Sequence, residues 1–271
     1  MWSYLKGFSK STLGIFQHAS QWASLDFNDI DIPLKETSLK DEGVSSGDEA
    51  SVGVYFIHGT ADHACSFKAI ATRLKKLGLT KEVTSMHLVS FDGRYQGKGI
   101  DDYGRQLLEK IEKNGHKQVI LCGHSRGGVL AAWFNQYLAK DANIKVLHCI
   151  SICGPFRGSY LAQAPVSYFS SSVEQMSKNS SFLQELRDKI NSEPNSPYTF
   201  VIAGLDDIVP NRCGYVLEYV DNNTDSLFKL DDHGHLSVMT STRLTNHLQS
   251  VINQSARPPQ PQQLVSHELS R

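Results

Sequence analysis

The chain has 271 residues, a formal net charge of −1 and a 40% hydrophobic share, enough for one large α/β domain or two small ones that bury a core without staples. The near-neutral charge gives no broad pull toward nucleic acid or an anionic membrane. The five cysteines (Cys65, Cys122, Cys149, Cys153 and Cys213) are odd in number and lack paired spacing, so they read as reduced core thiols in a reducing compartment rather than a disulfide framework.

Residues 1–27 place Leu5, Phe8, Ile15 and Trp22 near helical spacing, interrupted by Gly7 and Gly14. The segment reads as an amphipathic element that packs on the domain or makes peripheral membrane contact. It carries no Sec-type signal, and no run in the chain approaches the eighteen apolar residues of a membrane span. A cytoplasmic location is therefore expected. Residues 28–51 read as an acidic linker, Ser- and Gly-rich from residue 36.

Alternation begins at residue 52. Strands are expected at Val52–Ile57, His87–Phe91, Gln118–Cys122, Ile144–Ile152, Tyr198–Ala203 and Leu227–Leu230. Helices are expected at Phe67–Leu77, Asp101–Lys113, Gly128–Ala139, Phe182–Ile190 and Leu236–Ile252. Strands alternating with helices imply right-handed crossovers and a mostly parallel central sheet flanked by helices, an α/β fold over residues 52–253. An insertion at about 155–197 holds Tyr160, Leu161, Val166, Tyr168 and Phe169 before a helical stretch, and reads as a helical cap. The Pro- and Gln-rich tail, residues 254–271, reads as disordered.

Two segments fit G-x-S-x-G, a pattern that chance alone supplies in about one chain in ten of this length. Gly43-Val44-Ser45-Ser46-Gly47 lies in the linker, with no strand before it and no helix after it. Gly123-His124-Ser125-Arg126-Gly127 follows the strand Val119–Cys122 and precedes an apolar helix. A nucleophilic serine needs that setting, because a sharp strand-to-helix turn lifts its hydroxyl clear of the sheet. Ser125 is the expected nucleophile.

A tetrahedral intermediate needs two fixed N–H donors. The Arg126 amide is one. The Thr60 amide, in His58-Gly59-Thr60 after the first strand of the alternation, is the other, with Ala61 as the fallback; His58 reads as support for that loop. The acid and base should follow the serine in that order. Past Tyr198–Ala203 stand Asp206 and Asp207, and the D-x-x-V-P spacing favours Asp206 with Asp207 as alternate. Past Leu227–Leu230 stand His233 and His235, and His235, which follows a glycine and opens a helix, is favoured with His233 as alternate. The H-x-H pair lacks a third ligand at suitable spacing, and Cys149 and Cys153 lack a second pair, so no metal is expected.

These residues resemble the α/β-hydrolase superfamily and, more narrowly, its lipase and GPI-inositol-deacylase-like (triacylglycerol lipase-like) branch. The narrower resemblance lies in Phe56–Thr60, in Gly123–Gly128, in Gly154-Pro155-Phe156-Arg157-Gly158-Ser159, in Gln175-Met176 with Ser181–Leu186, and in Gly234–Met239 with Ser241. It covers roughly residues 52–253. It implies an α/β-hydrolase fold and an esterase or lipase working through a Ser125-Asp206-His235 triad and an acyl-enzyme, without cofactor. The expected substrate is a lipid or small acyl ester. An acyltransferase with the same triad, a membrane-associated phospholipase or lysophospholipase, and a non-catalytic binding module are the alternatives.

Overall fold

An uninterrupted apolar strand must be covered on both faces, and Val52–Ile57 (β2) is buried at all six positions. The computed structural model describes residues 28–34, 51–60, 62–92, 97–160 and 171–258. Seven strands form one sheet: β1 (Ile30–Pro33), β2, β3 (Val83–Val89), β4 (Gln118–His124), β5 (Lys145–Ile152), β6 (Tyr198–Ala203) and β7 (Leu227–Leu230), in the order β1-β3-β2-β4-β5-β6-β7. All pairings are parallel except β1 with β3. The longer helices are α1 (Lys68–Leu77), α2 (Ile100–Lys113), α3 (Arg126–Tyr137), α5 (Ser181–Ser192) and α7 (Thr242–Ala256); α4 (Ser171–Gln175) and α6 (Leu217–Asn222) are short.

The period-two alternation of β2 splits the core. Val52, Val54 and Phe56 join Phe67, Ile70 and Leu74 and, from α7, Leu244, Leu248 and Ile252 on one face. Tyr55 and Ile57 join residues of α2, α3, α5 and α6 on the other. Each fully buried large aliphatic or aromatic side chain contributes about 1.5–3 kcal/mol of transfer free energy. The sheet is thus a central layer sealed by helices on both sides, the mostly parallel α/β arrangement expected from the alternation.

Local chemistry sets the ends of the elements. Gly78 takes φ 84° and ends α1. The Asp102 carboxylate accepts from the Gly99 amide at 3.0 Å at the start of α2. Ser180 accepts from Leu183 N at 3.4 Å and Ser241 from Leu244 N at 3.3 Å, capping α5 and α7.

Four expectations are corrected. Residues 28–51 are not all linker: Ile30–Pro33 pairs antiparallel with β3, its isoleucines half-buried and its proline at the end of an edge strand, where a missing N–H costs little. The strand expected to begin at His87 begins at Val83, because Thr84 and Ser85 find polar partners within the sheet. The helix expected over Leu236–Ile252 is two elements. Ser237–Thr240 is a 3₁₀ turn, and Ser241, extended at φ −68° and ψ 128°, restarts the chain as α7. That helix runs past residue 253 to the buried Ala256, beyond the boundary expected for the tail. The N-terminal segment 1–27, the Gly43–Gly47 copy, cap residues 161–170 and the tail from 259 lie outside the described residues. No helix among the described residues is long and apolar enough to cross a membrane.

A polar network occupies the core beside Tyr55. The Tyr55 hydroxyl bonds His116 Nδ1 at 2.9 Å, Asn114 donates to it at 3.2 Å, and Ser85 Oγ links His87 Nε2 (2.8 Å) to His116 Nε2 (3.1 Å). His87 Nδ1 bonds Asp31 of the edge strand at 2.7 Å. Gly53 makes room for it: a Cβ there would lie 2.7 Å from His116 Nδ1. Burial first, and His87 second, push His116 down to about 4. Burial, then His247, push His148 down to about 4; its ring bonds Thr199 and Ser255. Both pKa values are depressed, so the unfolded chain takes up protons near 6.5 while the folded chain resists until about 4. Stability from these neutral rings is full above pH 6.5 and is lost as pH falls toward 4. The urea midpoint should therefore fall steadily from pH 6.5 to 5, and His116→Gln should flatten that slope. A slope unchanged in the variant would contradict the assignment.

Candidate active site

Ser125 joins β4 to α3 and stands at φ 54°, ψ −123°. A non-glycine residue held there costs about 1–3 kcal/mol, and the surroundings enforce it. The Ser125 amide donates to Ile152 O at 2.8 Å, and Gly128 N donates to Ser125 O at 3.0 Å. The flanking glycines are sterically required. A Cβ on Gly123 would lie 2.0 Å from the Gly127 carbonyl oxygen, and one on Gly127 would lie 2.1 Å from that of Ile57. The turn therefore exists only because backbone packs directly on backbone. Ser125 is half-buried at the start of α3, where the helix dipole is positive.

The loop after β2 lies against this turn. A Cβ on Gly59 would come within 3.2 Å of Ser125 Cβ. His58 is buried, and its Nδ1 donates to the Gly59 carbonyl at 2.8 Å. Thr60 follows, exposed. Ala61, the fallback donor, lies outside the described residues.

Asp206 and His235 are brought together. Asp206 Oδ2 accepts from His235 Nδ1 at 2.8 Å, with the two side chains only 2% and 4% exposed. Asp206 Oδ1 accepts from the amides of Ile208 (2.9 Å) and Val209 (2.8 Å). The D-x-x-V-P spacing thus has a physical content: the loop's own amides hold one carboxylate oxygen and leave the other for the imidazole. Asp207, one residue on, is exposed. His233 turns to its neighbour, its Nδ1 bonding Asp232 at 2.8 Å, while its carbonyl accepts from Leu205 N at 2.9 Å.

Three contributions had no separate signal in the sequence. His124, the variable residue before the serine, donates from Nε2 to the His235 carbonyl at 2.9 Å, with ring centroids 4.9 Å apart. This ties the histidine loop to the serine turn. Cys153, buried at φ 51°, sets its thiol against the Asp206 carboxylate. The Arg126 side chain is fully buried, its guanidinium 4.3 Å from the centre of the Tyr103 ring. Nothing in a G-x-S-x-G pattern distinguishes a buried arginine from a solvated one.

Cys153, Asp206 and His235 offer ligand atoms within 4.8 Å of one another, the one such group of three among the described residues. A metal there would need the thiolate. Burial first, then the adjacent Asp206 charge and the bond to it, push the Cys153 thiol well above its ordinary range. The arrangement therefore favours a protonated thiol donating to Asp206, which suits orientation of the carboxylate more than metal binding.

The chain between β5 and β6 is joined to this end of the sheet. Gly158 takes φ 94°, and a Cβ on it would lie 2.7 Å from Lys178 Cα. Arg187 of α5 donates to the Phe156 carbonyl at 2.6 Å, and Gln175 Oε1 accepts from Ile100 N at 2.7 Å. Tyr160, 60% exposed, has its amide bonded to the carbonyl of Ile208, two residues from Asp206.

No match is found among curated proteins. Among solved structures, the chain is similar to the mature form of a Bacillus licheniformis lipase, at 16% identity and a TM-score of 0.56 over 83% of this chain and 98% of that one. A Listeria innocua gene product aligns at 14% identity and a TM-score of 0.54, covering 73% and 92%. A carboxylesterase structure from the thaumarchaeon Nitrososphaera gargenis aligns at 13% identity and a TM-score of 0.53, covering 84% of this chain and 94% of that one. At such identities the likeness is one of fold, and it is the α/β-hydrolase fold described above. The sequence model of the lecithin:cholesterol acyltransferase family matches residues 41–185, from before the His58 loop through the serine turn into α5. That span is more than half of the chain, and the chain belongs to the lecithin:cholesterol acyltransferase family.

Proposed function

We propose that this chain is a carboxylic ester hydrolase with Ser125 as nucleophile, His235 as general base and Asp206 as the acid that orients it. The buried Asp206–His235 hydrogen bond, tied by His124 to the strained serine turn, carries this reading. With Nδ1 committed to Asp206, Nε2 of His235 is the atom available to take the Ser125 proton. Ser125 Oγ then attacks the ester carbonyl carbon, and the carbonyl electron pair moves onto oxygen. The amides of Thr60 and Arg126 hold that oxyanion. Collapse expels the alcohol, which takes the proton from His235. Water repeats the cycle on the acyl-enzyme and releases the acid.

The substrate is assigned as an acyl ester of a lipid or small molecule. Family membership supports the acyl-ester class, and the exposed Tyr160 beside the acid loop supports an apolar acyl group at the rim. The hydrolase domain is assigned from β1 at Ile30 to the end of α7, with the cap at about 155–197. Cytoplasmic residence and peripheral membrane contact through residues 1–27 belong to the same proposal and rest on sequence alone.

The test is hydrolysis of p-nitrophenyl esters from acetate to palmitate. Ser125→Ala should lose activity by about 10⁴-fold or more, and an added alcohol should show whether water is the preferred acceptor. A folded Ser125→Ala variant with wild-type turnover would reject the nucleophile. The two aspartates separate in the same assay. Asp206→Asn should lower kcat by about 10³–10⁴-fold, since an amide can stabilise the wrong imidazole tautomer. Asp207→Asn should stay within about twofold, as expected of an exposed surface position; the reverse ranking would move the acid to Asp207.

A further inference from the structure

The side chain of Arg126 is an unusual thing to bury. Its neighbours along the turn are glycine and serine, and a solvated arginine would serve the helix equally well. Instead it is 1% exposed, lies over the Tyr103 ring, and donates from Nη2 to the carbonyl oxygen of Gly59 at 3.3 Å. The same oxygen accepts from His58 Nδ1 at 2.8 Å. Two donors from two different segments therefore fix one carbonyl. The peptide unit that carries this carbonyl also carries the Thr60 N–H, and in a planar trans peptide the two point in opposite directions. Fixing the oxygen fixes the direction of that N–H. Gly59 in turn lies against Ser125, so the peptide borders the reacting serine.

We propose that the Arg126 guanidinium is a positioning residue for the oxyanion donors: by holding the Gly59 carbonyl it aims the Thr60 amide, while its own amide supplies the second donor. One residue then sets both donors, one through its backbone and one through its side chain. The Tyr103 ring supports the guanidinium from α2, where cation–π contact replaces part of the hydration lost on burial. This inference rests on the reading of Ser125 and the Thr60 and Arg126 amides given above.

The experiment compares wild type, Arg126→Met, Arg126→Lys and Ser125→Ala with the best p-nitrophenyl ester and with a trifluoromethyl ketone of matching chain length. Addition of serine to that ketone creates a hemiketal oxyanion, so its affinity reports the donors. Every variant keeps the residue 126 amide. Arg126→Met should lower kcat about 10- to 100-fold, less than or comparable to outright removal of a donor. KM should move less than about threefold, and ketone affinity should fall by the same factor as kcat. Arg126→Lys, which keeps the charge over Tyr103 without the planar fork, should lose less, about fivefold. A purely structural arginine would lower the melting temperature without this matched loss. Wild-type kcat and ketone affinity in folded Arg126→Met, or in Arg126→Lys should the methionine variant not fold, overturn the proposal while Ser125→Ala remains inactive. If Ser125→Ala is itself active, the reading beneath it falls instead.

Discussion

Backbone contact between β2 and the first turn of α3 constrains everything at the reactive end. The carbonyl of Ile57 occupies the space that a side chain on Gly127 would need, and the carbonyl of Gly127 occupies the space beside Gly123. Such contact is possible only if β2 and β4 are neighbours in the sheet, as their register from Val52↔Gln118 to Ile57↔Gly123 makes them. It also forces the loop that leaves β2 to emerge beside Ser125. Ser125 and the His58–Thr60 loop are thus brought together by strand adjacency, with the positive φ of Ser125 as the conformational cost. That cost, about 1–3 kcal/mol, is small against a β2 strand buried at every position and two apolar layers closing over it.

The remaining groups reach the site from the other half of the sheet. Asp206 leaves β6 and His235 leaves β7, both at the carboxyl ends of parallel strands, where the exits of neighbouring strands converge. The carboxylate is satisfied on one oxygen by two amides of its own loop and on the other by the imidazole. A buried carboxylate so supplied has little freedom to rotate, and the ring it bonds inherits that order. The Cys153 thiol adds a weak donor from β5 at a strained backbone position. Rigidity at the acid thus arises from short-range loop geometry, whereas rigidity at the serine arises from long-range sheet pairing.

This difference explains what could be read from the sequence. Tyr198–Ala203 and Leu227–Leu230 have their expected bounds because each is a short apolar run ended by Gly or Asp. The Asp206 loop was legible because its spacing encodes contacts within four residues. The elbow was legible because glycines mark backbone contact wherever the partner lies. Ile30–Pro33 was missed because four residues give too little alternation, and their pairing depends on the distant β3. The break at Ser241 was missed because helical periodicity continues across it. The roles of His124, Cys153 and the Arg126 side chain depend on contacts with residues far along the chain, and their identities alone carry no trace of them.

The protein separates its two sets of histidines by environment. His116 and His148 sit among hydroxyls and other rings, where burial first and a neighbouring histidine second disfavour an added proton. His235 instead has a buried carboxylate on Nδ1, at 2.8 Å. The first environment suits rings that serve packing and stay neutral. The second fixes the orientation of its ring, as the proposed general base requires. A single residue type is therefore given two uses by what lies within hydrogen-bond reach, and in each case the sheet register or the loop spacing decides which partner that is.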